Sequence, residues 1–159
     1  MALDAPAAPS TPNRSIRPRI APRSLRVRSA AYATVPIEEG FDWPDYVAGL
    51  EPGSYYLVVF RSIRRPDADG ELLTEFDDRA HAEARRAGGL ILYFKGEPDA
   101  DGACLSLCLW RSREEARAAI HLPRHRAAVG LATTMYASFH LERYVVTWTG
   151  FGQVEIAAA

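Results

Sequence analysis

No stretch of this chain is apolar for anything near the ~18 residues that a membrane-spanning helix needs. No short apolar segment follows a charged N-terminus in the manner of a secretion signal, so neither a membrane protein nor a secreted one is expected. Cysteine occurs only twice, at Cys104 and Cys108, too seldom for a disulfide scaffold. Charge of one sign is also lacking: the formal net charge is −1, which gives no electrostatic grip on nucleic acid. G-x-G-x-x-G after a strand, G-x-x-x-x-G-K-[ST], G-x-S-x-G and C-x-x-C are all missing, and with them the support for nucleotide cofactors, phosphoryl transfer and serine hydrolysis. A cytoplasmic domain with helices and strands is what remains.

The 159 residues suit one domain, but their charge is uneven. Residues 1–35 hold six arginines against the single acid Asp4, and Pro6, Pro9, Pro12, Pro18 and Pro22 stop any helix from propagating there. This stretch reads as a disordered tail, and residues 36–159 as one α+β domain. An import leader is the sharper reading of the tail, but it needs an amphipathic helix, which the prolines oppose. Of the 19 basic residues only Lys95 is not Arg. Because the excess runs through every part of the chain, it reads as a coding bias rather than a set of phosphate forks.

Behind an irregular arm at Phe41–Pro52, the pattern alternates. Tyr55–Ile63 is dense in aromatic and β-branched residues, a strand. Glu71–Ala87 places Leu72, Leu73, Phe76, Ala80, Ala84 and Ala87 at helical spacing, and Gly88-Gly89 supplies its stop. Leu90–Lys95 and Ala103–Trp110 form a hairpin around Pro98–Gly102. Ser112 with Glu115 is a capping box for a helix that breaks at Leu122-Pro123 and restarts from Arg124 to Ala137, with Ala127, Ala128, Leu131 and Met135 inward. A strand over Phe139–Thr149 follows, then a short tail. The order βαββαβ predicts a ferredoxin-like, four-stranded antiparallel sheet with both helices on one face. The other face then has to meet water or a partner. Alternation in the third strand separates Leu105, Leu107 and Leu109 from Cys104, Ser106, Cys108 and Trp110. The leucine row is expected beneath the helices, and the mixed row at a dimer interface or ligand cavity.

The βαββαβ order and the join Trp110-Arg111-Ser112-Arg113-Glu114-Glu115-Ala116 resemble the dimeric α/β-barrel superfamily, which includes antibiotic-biosynthesis-type and haem-degrading monooxygenases and muconolactone-isomerase-like enzymes. Asp77–Ala84, Cys108–Arg113 and Pro123–Ala128 are similar to an uncharacterised branch of it found in bacteria and fungi. The resemblance covers about residues 40–149 and implies a homodimer with a site for a small apolar or aromatic molecule. It implies either a cofactor-independent monooxygenase-like or isomerase-like enzyme, or a non-catalytic barrel that binds a metabolite or haem or serves as an interaction module. No cofactor is predicted from the motifs, and haem is the one the resemblance leaves open.

Among individual residues, His125 sits where the second helix bends, either bonding a free carbonyl or moving a proton in a pocket. His140 shares a face of the last strand with Glu142 and Tyr144. With Ser106, Cys108, Trp110 and Tyr136 this group is the expected pocket wall, a packed aromatic interface being the other reading. Catalysis would then rest on His125 and His140. Arg143 is read as a structural ion-pair residue, and His81 as part of a solvated helix face. His121 and His125 have i, i+4 spacing, but Pro123 interrupts it and no metal site is expected. Cys104 and Cys108 lie too far apart along one strand to be bridged.

Overall fold

A computed structural model describes residues 24–159. Its centre is β1 (Gly53–Arg64), an aromatic and β-branched run, paired antiparallel with β3 (Ala103–Trp110) on one side and β4 (Tyr136–Trp148) on the other. Strand β2 (Leu90–Lys95) flanks β3, and β5 (Val154–Ala158) flanks β4, giving the order β2-β3-β1-β4-β5. The predicted βαββαβ core is therefore present, with a fifth strand added. That strand occupies the segment expected as a tail: Val154–Ala158 pairs with Tyr144–Trp148 because β4's outer edge offers free backbone groups.

Helix α3 (Gly70–Ala87) is capped by Asp69, whose side chain accepts from the Leu72 N–H. Gly89, at φ 81°, carries the chain from α3 into β2 so close to α4 that an added Cβ would lie 2.5 Å from the Glu115 side chain. Helix α4 (Arg113–Ile120) starts at the predicted Ser112 cap, which accepts from the Glu115 N–H at 3.2 Å; the Glu115 carboxylate returns to the Ser112 hydroxyl rather than to its backbone. Pro123 opens α5 (Pro123–Gly130), and a single turn, α6 (Ala132–Met135), leads into β4. The predicted second helix is thus three pieces, broken at Leu122-Pro123 as expected and again at Leu131, and α5 buries none of its residues, the expected inward Ala127 and Ala128 included.

The sheet's two faces are covered in the reverse of the expected way. Leu105, Leu107 and Leu109 face away from α3–α5 and join a core with Leu57, Val59 and Val146. That core is closed by the chain's own N-terminal arm, which supplies Leu25, Ile37 from α1 (Ile37–Gly40), Phe41 from the link that follows, and Trp43, Tyr46 and Val47 from α2 (Trp43–Val47). The strand tells which residues share a face but not what covers each; Phe41–Pro52 was expected as an irregular arm, and of the covering segment only residues 24–35 had been read as tail. Residues 24–35 are packed: Leu25 is buried, Val27 bridges Phe41, and the Tyr32 ring meets Phe41 and Phe94 at 5.7 and 5.6 Å. The rest of the expected tail, residues 1–23, lies outside the described residues.

Arg61 fastens the arm. From β1 its guanidinium donates to the carbonyls of Ala33 (2.7 Å), Val35 (2.9 Å) and Tyr32 (3.4 Å), and its Nε to Glu142 Oε1 (2.8 Å). A second copy of the chain is therefore not needed to cover this face, and the premise from which a dimer was expected falls away.

Candidate functional site

The mixed row of β3 lies beneath the helices and lines a cavity of about 670 Å³ between them and the sheet. From β1 come Tyr56, Val58, Phe60, Ser62 and Arg64; from β3, Cys104, Ser106, Cys108 and Trp110; from α3, Leu73, Phe76, Asp77, Ala80 and His81. The lining is mainly apolar with a few polar groups, the usual make-up of a small-molecule site. Its mouth lies toward β4, where Ile120, Val129, Phe139 and Leu141 are between 43% and 59% exposed.

Five of the seven residues expected at a site line this cavity: Ser106, Cys108, Trp110, His125 and Tyr136. The other two, His140 and Tyr144, do not. Even-numbered residues of β4 from 138 to 148 point to the arm face, so His140 Nε2 lies 3.1 Å from Glu142 Oε1 and the Tyr144 hydroxyl donates to Glu142 Oε2 at 2.9 Å, around the Arg61 clasp. His140 is thereby removed from any role in the cavity. Tyr136 escapes the same parity because the register of β1 and β4 shifts at Ile63/Arg64, leaving Arg64 opposite Tyr136; one extra residue in β4 turns Tyr136 to the cavity. Arg143, odd-numbered, lies on the face of β4 opposite His140 and lines the cavity, where it had been read as a structural ion-pair residue.

Four cavity groups stood outside the expected site, Asp77, Tyr93, Lys95 and His81, the last of them read as part of a solvated helix face. The Tyr93 hydroxyl donates to the Asp77 carboxylate at 2.6 Å, Lys95 Nζ lies 3.5 Å from Asp77, and the His81 ring sits 4.3 Å from that of Tyr93. The signal was there: Leu73, Asp77, Ala80 and Ala84 follow i, i+4, i+7, i+11, which puts Asp77 in phase with the apolar stripe.

Burial sets the protonation states. It pushes the Tyr93 phenol up, with the Asp77 charge adding to the effect, so Tyr93 is a proton donor and not a phenolate at neutral pH. Burial pulls His125 below its ordinary 6.5, against weaker upward pulls from Glu83 and Asp77, and leaves a neutral imidazole. His81 is lowered by burial and by Arg85, whose Nε donates to His81 Nε2 at 2.6 Å. The Cys108 thiol is pushed up to about 12 by burial and by Asp77, which keeps it protonated and a poor nucleophile. Cys104 is also a free thiol, donating to the Gly96 carbonyl at 3.2 Å. Chemically the arrangement offers an apolar chamber, a neutral base in His125 and a carboxylate–phenol pair in Asp77–Tyr93.

Comparison with known proteins bears on fold and family. A structure from Mycobacterium tuberculosis, Rv0793, superposes with a TM-score of 0.50 at 18% identity, covering 62% of this chain and 99% of that one. A protein from Nitrosomonas europaea, described from its sequence as an antibiotic biosynthesis monooxygenase, superposes with a TM-score of 0.50 at 13% identity, covering 62% and 93%. At these identities the likeness is one of fold, the α+β ferredoxin-like arrangement. In sequence, the UPF0643 protein PB2B2.08 of Schizosaccharomyces pombe is 30% identical over 133 residues, spanning 73% of this chain but only 60% of the yeast protein's length. The family model described as PB2B2.08-like matches residues 12–158, and the chain belongs to that family.

Proposed function

We propose that the chain is a cofactor-independent enzyme, of monooxygenase or isomerase type, acting on a small apolar or aromatic molecule held in the helix-side cavity. The observation that carries this reading is the meeting, inside one apolar chamber, of a neutral His125 with the Asp77–Tyr93 pair. A base of that kind takes a proton from an activated C–H, and the chamber holds the resulting carbanion away from water. In an isomerase the proton returns at another carbon. In a monooxygenase the carbanion passes an electron to O₂, recombination gives a peroxide, and loss of water turns the CH₂ into C=O, so CH₂ and O₂ become C=O and H₂O. The fold neighbour from Nitrosomonas europaea supports this reaction class by analogy only.

Binding without turnover is the competing reading, and His125, with no hydrogen bond to its ring among the described residues, is the group that would ligate a haem iron. Native mass spectrometry of gently purified protein identifies what the cavity carries, and an oxygen electrode with a panel of activated phenols tests turnover. Oxygen uptake that loses its acid-side pH limb in His125→Gln supports the enzyme. A carried metabolite or haem without uptake favours the binding module. The same spectrum tests the homodimer proposed with this function, since a mass twice 17.6 kDa reports a second copy closing over the exposed mouth.

A further inference from the structure

Two groups of polar side chains in the cavity differ in whether they are paired. Along α3 and β2 they satisfy one another: Asp77 with Tyr93 and Lys95, His81 with Arg85. At the far end of β1 they do not. Ser62 is 6% exposed, and both its Oγ and the Nε of Arg64 are shielded from water with no hydrogen-bond partner. Buried polar groups are seldom left so, and an unpaired pair aimed into a cavity marks the place of a ligand's own polar atoms.

Arg64 is held ready rather than loosely placed. Its backbone N–H donates to the Gly102 carbonyl at 2.7 Å, and the next residue, Arg65, donates to the Met135 carbonyl at 3.0 Å. Gly102, at φ 81°, lets the hairpin come so near that an added Cβ would lie 2.6 Å from the Arg64 carbonyl oxygen. Arg61, three residues earlier on the opposite face, has its Nε and both terminal nitrogens bonded to the arm and Glu142. Among the described residues no carboxylate lies within ion-pair distance of Arg64. The acid that shares the cavity, Asp77, is already engaged by Lys95 and Tyr93.

We propose that the Ser62–Arg64 end of the cavity is a subsite for a carboxylate carried on an apolar, ring-bearing molecule. The proposal rests on the reading of this cavity as a ligand site and narrows its substrate class to organic acids. The Nε–Nη edge of a guanidinium matches the two oxygens of a carboxylate, and the Ser62 hydroxyl adds a third donor. The ring then lies on Phe60, Val58 and Phe76, and the acid end sets which of its carbons faces His125.

The test is calorimetric titration of the full chain with 2-naphthoate and with methyl 2-naphthoate, the same body without the charge. The acid is expected to bind at least tenfold tighter than the ester. Arg64→Gln brings the acid down to the ester's affinity and leaves the ester unchanged, while Arg64→Lys, with charge but no fork, restores only part of the preference. Ser62→Ala weakens the acid several-fold and carries the test should the Arg64 variants fail to fold. Equal affinities in the unaltered protein, or an acid preference that survives Arg64→Gln, overturn the subsite while leaving the cavity a ligand site. Binding of neither probe overturns the subsite together with the cavity reading beneath it.

Discussion

The two faces of this sheet are made by alternate residues of the same strands, yet one is solid and the other hollow. On the arm side Leu57, Val59, Leu105, Leu107, Leu109 and Val146 are fully buried against large side chains, Ile37, Phe41 and Trp43, delivered by helices of only four and five residues and the extended residue between them. Such short pieces follow the sheet's surface, and their rings mesh edge to face, Phe41 against Phe94 at 5.0 Å and against Trp43 at 6.1 Å. On the helix side the buried residues of α3 and α4 are mostly small, Ala80, Ala84, Ala116 and Ala119 beside the one larger Leu73, and α5 buries nothing. Rods of ordinary diameter with alanine on the inner face cannot reach a twisted sheet everywhere, and a cavity is left. The difference lies in side-chain size on the covering layer, not in the strands.

Substitutions that act on one face and spare the other sharpen this contrast. The largest effect is expected from Arg61→Ala, which strips the arm of its fastening and leaves Glu142 and three carbonyls without their donor; unfolding in urea should lose about 3–5 kcal/mol while the cavity keeps its ligand affinity. Next come two neighbours in β3. Leu107→Ala should cost about 2–5 kcal/mol, whereas Ser106→Ala, one residue away on the hollow face, should change stability by no more than about 0.5 kcal/mol. Equal losses at the two would mean that the cavity face is packed after all. Val58→Phe reverses the readout: the added ring has room, so stability should move by less than about 1 kcal/mol, while probe binding measured by calorimetry is lost.

The smallest effect concerns acid. Burial alone would raise the Glu142 carboxyl, but hydrogen bonds from Tyr144, Arg61 and His140 and the Arg61 charge outweigh it and hold the group below its ordinary 4.5. A carboxyl lowered by folding contributes stability that is complete above the ordinary value and is lost as pH falls through the lowered one. Unfolding free energy should therefore drop below pH 4.5 by up to about 1 kcal/mol more in the unaltered protein than in Glu142→Gln.

The elements were legible where a period was strong. β2 and β3 begin and end where the sequence placed them, and α3 differs by one residue, because alternation and helical spacing are local properties. What covers each face is not local. An all-leucine row suits any dry layer, and the arm that supplies this one is interrupted by Pro36, Pro44 and Pro52, punctuation that reads as loop. Three of the five residues of strand β5 are alanine or glutamate, which have little preference for strands, and it exists because β4 offers it an edge. In the site, period two put His140, Glu142 and Tyr144 on one face correctly, but Tyr136 was read as the end of a helix, whereas it opens β4 and is turned to the cavity by the shift beside it. Asp77 was passed over because an acid on a helix is usually hydrated.

The clasp between Arg61 and the arm also has an order in time. Arg61 and Glu142 are 81 residues apart, and the arm they fasten precedes both in the chain. During synthesis Ile37, Phe41 and Trp43 leave the ribosome before β1, β3 and β4 exist to receive them. The arm is thus made before the sheet on which it docks, and until β4 arrives its aromatic side chains are without the complete surface that shelters them. A nascent chain halted before Tyr136 should hold the arm open to protease, and release of β4 should close it in one step.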